Sequence, residues 1–229
     1  MKPMQIQGIP AVQYGEATEH VYLFVHGKNG YKEEAEPFAQ IVCPRGYQVL
    51  SIDLPGHGSR KEEADRFVPW QVVPELQTLM QYAKAHWKHI SLRATSIGSW
   101  FSMLAYQNEP LETSLFVSPV LNMQQLIEQM MRWAHVTPEQ LQRQGRIPTD
   151  FGETLDWDYY QYAKRNRIQQ WHPNTAILYA GQDNLTPRQT VEYFCEQFHC
   201  GLTVMEDGEH WFHTKEQLAV LHNWTQERI

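Results

Sequence analysis

Long apolar runs are missing from this chain of 229 residues, and no window is long enough to span a bilayer. The opening "MKPMQIQGIPAVQYG" lacks the continuous apolar core of a secretion signal, so the expectation is a cytoplasmic protein that does not bind membranes. Cysteine is scarce. Cys43, Cys195 and Cys200 are an odd set without metal-type spacing, which argues against a disulfide framework or a cysteine zinc site and leaves buried or half-buried thiols. Positive charge is also short: 19 Lys and Arg face 26 Asp and Glu, a formal charge of −7. That balance speaks against nucleic acid as a partner, because a phosphate-binding surface needs an excess of cations. No internal repeat and no low-complexity linker interrupts the chain.

What is present is alternation. "HVYLFVHG", "YQVLSIDLPG", "HISLRATS", "SLFVSPVL", "TAILYAGQD" and "GLTVMEDGEH" read as strands, each ending near a glycine, a proline or a polar turn. Between them lie helical patterns. Trp70, Val73, Leu76, Met80, Ala83 and Trp87 recur at three- and four-residue spacing, one apolar face. Thr186-Pro187-x-Gln189 and Thr214-x-x-Gln217 read as capping boxes that open the last two helices, the final one apolar at Leu218, Leu221 and Trp224. Strands alternating with helices imply an α/β fold with a mostly parallel sheet covered on both faces. Ligands in such sheets sit beyond the carboxyl ends of the strands.

One segment breaks the rhythm. From about Leu121 to His172 only helical pieces are expected: a stripe of Met123, Leu126, Ile127, Met130, Met131 and Ala134, a second piece from Thr137-Pro138, and an aromatic-rich third from about Trp157. Its length exceeds an ordinary connection. The expectation is therefore a core of residues 1–121 and 173–229 carrying a helical cap at 122–172.

The strand ends carry the candidate chemistry. In "ATSIG", Ser96 stands where a strand turns abruptly into a helix, with Gly98 two residues on and Ala94 two residues before. A nucleophile on such a turn needs small neighbours, and A-x-S-x-G alone does not separate a nucleophile from a structural serine. A serine hydroxyl also needs a base, and the base needs an acid to fix its tautomer. Asp183 lies just past one strand and His210 just past the last, so Ser, Asp and His follow one another at three strand ends. Ser99 and Ser102 fall in the helix; Asp207, His213, Asp156 and Asp158 are weaker rivals as acid or base. "FVHGKNG" leaves the Lys28 N–H free in a glycine-flanked loop, and with the Ile97 N–H it is a candidate oxyanion hole. His26 is expected to support that loop rather than to act as the base.

"HGKNG", "DLPGHGSR", "ATSIG", "AGQD" with Pro187 beyond it, and "DGEHWFH" stand in the order found in the α/β-hydrolase superfamily, which the chain resembles from about His20 to its end. The resemblance implies Ser96 as nucleophile, Asp183 as acid, His210 as base, and the amides of Lys28 and Ile97 as oxyanion hole. It also implies that "PGHG", with His57, is a structural turn. The departure from the family pattern is Ala94. The expected reaction is hydrolysis of a carboxylic ester of small to medium, lipophilic character, in a branch with carboxylesterases and serine aminopeptidases. Thioester and amide cleavage share the machinery, and a catalytically silent binding protein is the alternative class. Met130, Trp133, Trp157 and Trp211 are the expected substrate wall. No metal or organic cofactor is implied, and the expected partner is a small-molecule substrate of a monomer or homodimer.

Overall fold

The computed structural model describes residues 1–229. The chain opens with strands β1 (Lys2–Ile6), β2 (Ile9–Tyr14) and β3 (His20–Val25). There follow helix α1 (Glu36–Val42), β4 (Gln48–Ile52), α2 (Pro69–His86), β5 (His89–Thr95), α3 (Ile97–Tyr106) and β6 (Ser114–Val117). After them come α4 (Met123–Trp133), α5 (Pro138–Gln144), the short strands β7 (Arg146–Pro148) and β8 (Thr154–Asp156), and α6 (Trp157–Arg165). The chain then resumes with β9 (Thr175–Ala180), α7 (Arg188–Phe198), β10 (Gly201–Met205) and α8 (Lys215–Arg228).

Eight strands form one sheet in the order β1-β2-β4-β3-β5-β6-β9-β10. The pairs β1·β2 and β2·β4 are antiparallel and the others parallel. The central strands are apolar on both faces, as burial on both sides requires. Every residue of β4 and β6 is buried, and so are Val21 to Val25 of β3. One face packs Phe38, Ala39 and Val42 of α1 and Trp224 of α8. The other packs α2, α3 and α7, and its apolar cluster runs on without a break into Met123, Leu126, Ile127, Leu141, Leu155 and Tyr160 of the inserted segment. No helix is long and apolar enough to cross a membrane, and the three cysteines are free thiols.

Four local readings are corrected. Residues 1–19 carried no assigned element, yet β1 and β2 form a hairpin across Gln7 (φ 49) and Gly8 (φ 87), the left-handed pair of a two-residue turn. The segment after β6 is not helical throughout. The strands β7 and β8 pair antiparallel between α5 and α6, too short for a periodic pattern to show in sequence. Thr186 does not cap α7, since its hydroxyl donates to the Pro119 carbonyl at 2.9 Å and Pro187 holds the cap position without a side-chain bond. The stripes on α2 and α8 also run past their buried parts, with Trp70 and Leu218 exposed. Thr214 does form the expected capping box on α8, and Thr137 forms another on α5.

Candidate active site

β5 delivers Ser96 and α3 leaves from it. Ser96 has φ 51 and ψ −126, a conformation that L-residues enter only under constraint. The constraint is visible. The Ser96 N–H donates to the Val117 carbonyl at 3.0 Å, and its own carbonyl accepts from Val120 N–H at 3.1 Å, so the end of β6 clamps both sides of the turn. α3 also presses close against the end of β3. A Cβ built on Gly98 would stand 2.3 Å from the His26 carbonyl oxygen, which is why no side chain fits there. Ala94, fully buried, keeps its methyl inside the core.

Two further strand ends meet Ser96. Past β9, Gly181 passes so near Glu206 that a Cβ would lie 2.4 Å from its carbonyl oxygen, and this contact holds the ends of β9 and β10 together. Asp183 follows in a turn, where its Oδ1 accepts from the Leu185 and Thr186 N–H groups at 2.8 and 3.1 Å. That leaves Oδ2 to meet His210 Nδ1 at 2.7 Å, with the Asp183 side chain wholly shielded from solvent. A carboxylate only accepts, so Nδ1 carries the proton and Nε2 presents a lone pair. Nε2 faces Ser96 Oγ at 2.8 Å and accepts its O–H. The hydroxyl, the imidazole and the buried carboxylate thus form one hydrogen-bonded chain able to withdraw a proton from Ser96 Oγ.

Two N–H groups face the other side of Ser96. Ile97 is the first residue of α3, so its N–H has no carbonyl one turn back. The Lys28 N–H lies in the loop after β3 and has no acceptor, while Gly27 next to it sits against Ser96, 3.2 Å from Ser96 Cβ to the place of its missing Cβ. An oxygen carrying negative charge beside Ser96 could take both.

The model of the family described as serine aminopeptidase, S33, matches residues 16–154, about three-fifths of the chain, including the turn at Ser96. The chain belongs to this family. It is an α/β-hydrolase, and solved structures of the same fold align along nearly its whole length. Est1E from Butyrivibrio proteoclasticus, solved with ferulic acid bound, superposes with a TM-score of 0.77 at 18% identity, covering 99% of this chain and 97% of its own. Alpha/beta hydrolase domain-containing protein 10 from mouse gives 0.76 at 12%, covering 96% and 92%. A soluble variant of monoglyceride lipase from Saccharomyces cerevisiae, in complex with a substrate analog, gives 0.67 at 11%, covering 99% and 94%. No curated protein sequence matches.

In this family member His26 is buried with both nitrogens engaged. Nδ1 donates to the Gly27 carbonyl at 2.7 Å and Nε2 accepts the Leu54 N–H at 3.1 Å, fixing the loop that carries Lys28. Burial pushes its pKa down to about 4, so the ring is neutral. His57 donates to the Pro55 carbonyl at 2.8 Å and packs on Phe67. Ser99 and Ser102 are fully buried in α3, His213 is engaged with the Trp211 carbonyl, and Asp156 caps α6. None of their side chains bonds to Ser96 or His210; Ser99 reaches Ser96 only through its backbone N–H, which donates to the Ser96 carbonyl at 3.1 Å.

The four aromatic and methionine positions expected to form a substrate wall are spread out. Met130 and Trp157 are half-buried, with Met130 packed on the core and Trp157 beside Tyr160. Trp133 is half-exposed, edge-on to Phe151, and Trp211 lies exposed beside His210, stacked on His213. A cleft of about 130 Å³ between α3, α4, α6 and α7 is lined instead by Trp100, Leu121, Met123, Ile168 and Phe194 among others. The sequence reading missed several supports: Val117 and Val120 around the turn, the Thr186–Pro119 tie, and the pairing of the Lys28 ammonium with Glu153 of the turn between β7 and β8. It also missed Asp53. Burial pushes this carboxyl up, but Lys32 and Ser59 together donate four hydrogen bonds and hold it below its ordinary value. A lone Asp or Thr in a loop gives no signal of such partners.

Proposed function

We propose that the protein is a serine carboxylesterase acting on small to medium, lipophilic esters. The observation that carries this reading is the unbroken chain Ser96 Oγ–His210 Nε2 at 2.8 Å and His210 Nδ1–Asp183 Oδ2 at 2.7 Å, built on a left-handed Ser96. His210 takes the Ser96 proton as Oγ attacks the ester carbonyl, and the Lys28 and Ile97 N–H groups hold the resulting oxyanion. The tetrahedral adduct expels the alkoxide, which takes the proton from His210, and an acyl-serine remains. Water then attacks that ester, giving its proton to His210, and Ser96 leaves with the proton returned.

An ester is favoured over a peptide with a free amino end. Glu153, the cap carboxylate that meets the Lys28 loop, is paired with the Lys28 ammonium, which competes with any α-ammonium group for it. Trp211, exposed next to His210, and Trp133 at the cap edge offer apolar surface for the acyl or alcohol part. The test is labelling with a fluorophosphonate, followed by a series of p-nitrophenyl esters of rising chain length. Stoichiometric labelling lost in Ser96→Ala, together with ester turnover that is lost in the same variant, supports the reading. Folded wild-type protein that neither labels nor turns over any ester of the series refutes it.

A further inference from the structure

The amino ends of the parallel strands, at the opposite pole of the sheet from Ser96, gather three side chains that are far apart in sequence. His20 and His89 are the first residues of β3 and β5 and stand opposite each other in the parallel register. Their rings leave the sheet side by side and stack at 4.3 Å with 13° between planes. Glu112, in the turn before β6, meets both: its carboxylate contacts His89 Nδ1 and lies 4.0 Å from His20 Nδ1. One donor atom from each of the three lies within 4.8 Å of the other two.

His20 Nδ1 is the informative atom. It is shielded from solvent and has no hydrogen-bond partner, and 4.0 Å is too far for Glu112 to serve as one. A shielded ring nitrogen without a partner therefore stands within 4.8 Å of donor atoms from His89 and Glu112. Two imidazoles and a carboxylate make the donor set of open zinc sites, in which each ligand lies about 2.0–2.2 Å from the metal. In tetrahedral geometry two atoms so bound stand about 3.3–3.6 Å apart, so the His20–Glu112 pair at 4.0 Å closes by about 0.5 Å, the widest pair by no more than about 1.5 Å, and the direct His89–Glu112 contact opens to admit the ion, all within the reach of side-chain rotation. Lys88, next to His89 in sequence, is paired with Glu19.

We propose that His20, His89 and Glu112 bind one divalent transition-metal ion, with zinc as the best match to the donors and water as fourth ligand. The ion staples the starts of β3, β5 and β6 and takes no part in the chemistry at Ser96. The sequence holds no hint of it, since only the strand register brings residues 20, 89 and 112 together.

The test uses the full chain stripped with a chelator and titrated with zinc chloride near neutral pH, followed by calorimetry and thermal unfolding. Wild type is expected to take up one equivalent at this site and to gain about 5 °C in Tm once free zinc stands about 100-fold above its Kd. His89→Gln and Glu112→Gln, each read against its own metal-free melting curve, lose at least about tenfold in affinity and lose the shift. Cys200→Ser keeps both, which separates this site from thiol binding. No uptake by wild type at about 100 µM zinc would mean a histidine–carboxylate ion pair only, and the proposal fails. Equal uptake by wild type and both variants would put the ion elsewhere and overturn it as well.

Discussion

Gly98→Ala is the sharpest probe of how the turn at Ser96 is built. The added Cβ would lie 2.3 Å from the His26 carbonyl oxygen and 2.8 Å from that of Val25, whereas real Cβ contacts stay above 3.0 Å. Both neighbours are backbone, so no side chain can swing aside. The start of α3 and the end of β3 must part by about 0.7 Å, the shortfall at the His26 oxygen. Overpacking of this kind costs about 1–3 kcal/mol of stability, or a Tm loss of about 2–12 °C at this chain length. The effect on turnover should be larger. The Lys28 and Ile97 N–H groups lie on opposite sides of the contact, so the separation between them grows and an oxyanion cannot reach both. Loss of one such donor lowers kcat about 10²–10³-fold. Ester hydrolysis by folded Gly98→Ala should therefore show kcat reduced by about 10² with KM little changed. Ala94→Gly is the control: it deletes a methyl packed in the core and costs about 2 kcal/mol through backbone entropy and lost burial, with kcat within about threefold of wild type. A Gly98→Ala enzyme with normal kcat would refute the reasoning, since the oxyanion donors would then not depend on this contact.

Two further perturbations test other parts of the site. Asp183→Asn keeps its oxygen for the Leu185 and Thr186 amides and so turns its NH₂ toward His210 Nδ1, which must then accept, leaving the proton on Nε2, the wrong tautomer; kcat should fall about 10³–10⁴-fold while denaturation midpoints shift little, and a loss under tenfold would remove Asp183 from the acid role. His26 makes a pH prediction: burial holds it near pKa 4 against an ordinary 6.5, so the unfolded chain takes a proton that the folded chain refuses. Its contribution to stability is complete above about pH 6.5 and is lost as pH falls toward 4, by about 2–3 kcal/mol at pH 4.5. Urea unfolding at pH 7 and 4.5 should show that much less pH dependence in His26→Asn than in wild type, and equal slopes would contradict the buried neutral ring.

The alternation of strands and helices was legible because each strand buried on both faces needs an apolar run, as in "HVYLFV", and each helix on the sheet needs a stripe. Ser96, Asp183 and His210 stood out because all three lie just past such runs, and the structure brings their side chains within hydrogen-bond reach of one another. What escaped has a common physical character. β1 is the edge strand of the sheet, where burial is partial and the apolar signal thin, and the buried β2 beside it is interrupted by Pro10 and Gln13. The strands β7 and β8 have three residues each, below the length at which alternation can be read. Thr186 resembled a helix cap because its neighbours fit one, but its hydroxyl serves the Pro119 carbonyl across 67 positions of sequence. Partners that distant are set by register, and register is not written in any local window.

The same reasoning bears on the inserted segment, which reads in sequence as a separate cap but packs as part of the body. Tyr159 of α6 stacks on Trp100 of α3 with 5.9 Å between ring centroids and 21° between planes, and meets Trp70 of α2 at 6.2 Å. From Trp100 ring contacts continue through Phe101, Phe67 and His57 to His26, beneath the loop that carries Lys28. Lifting α6 would expose this ladder, and burial of aromatic rings on that scale is worth several kcal/mol. The Lys28–Glu153 pair at the turn between β7 and β8 is half-exposed and screened by solvent, worth about 1 kcal/mol at most. Any displacement of the insert from the core therefore costs least at the hairpin and most at α6.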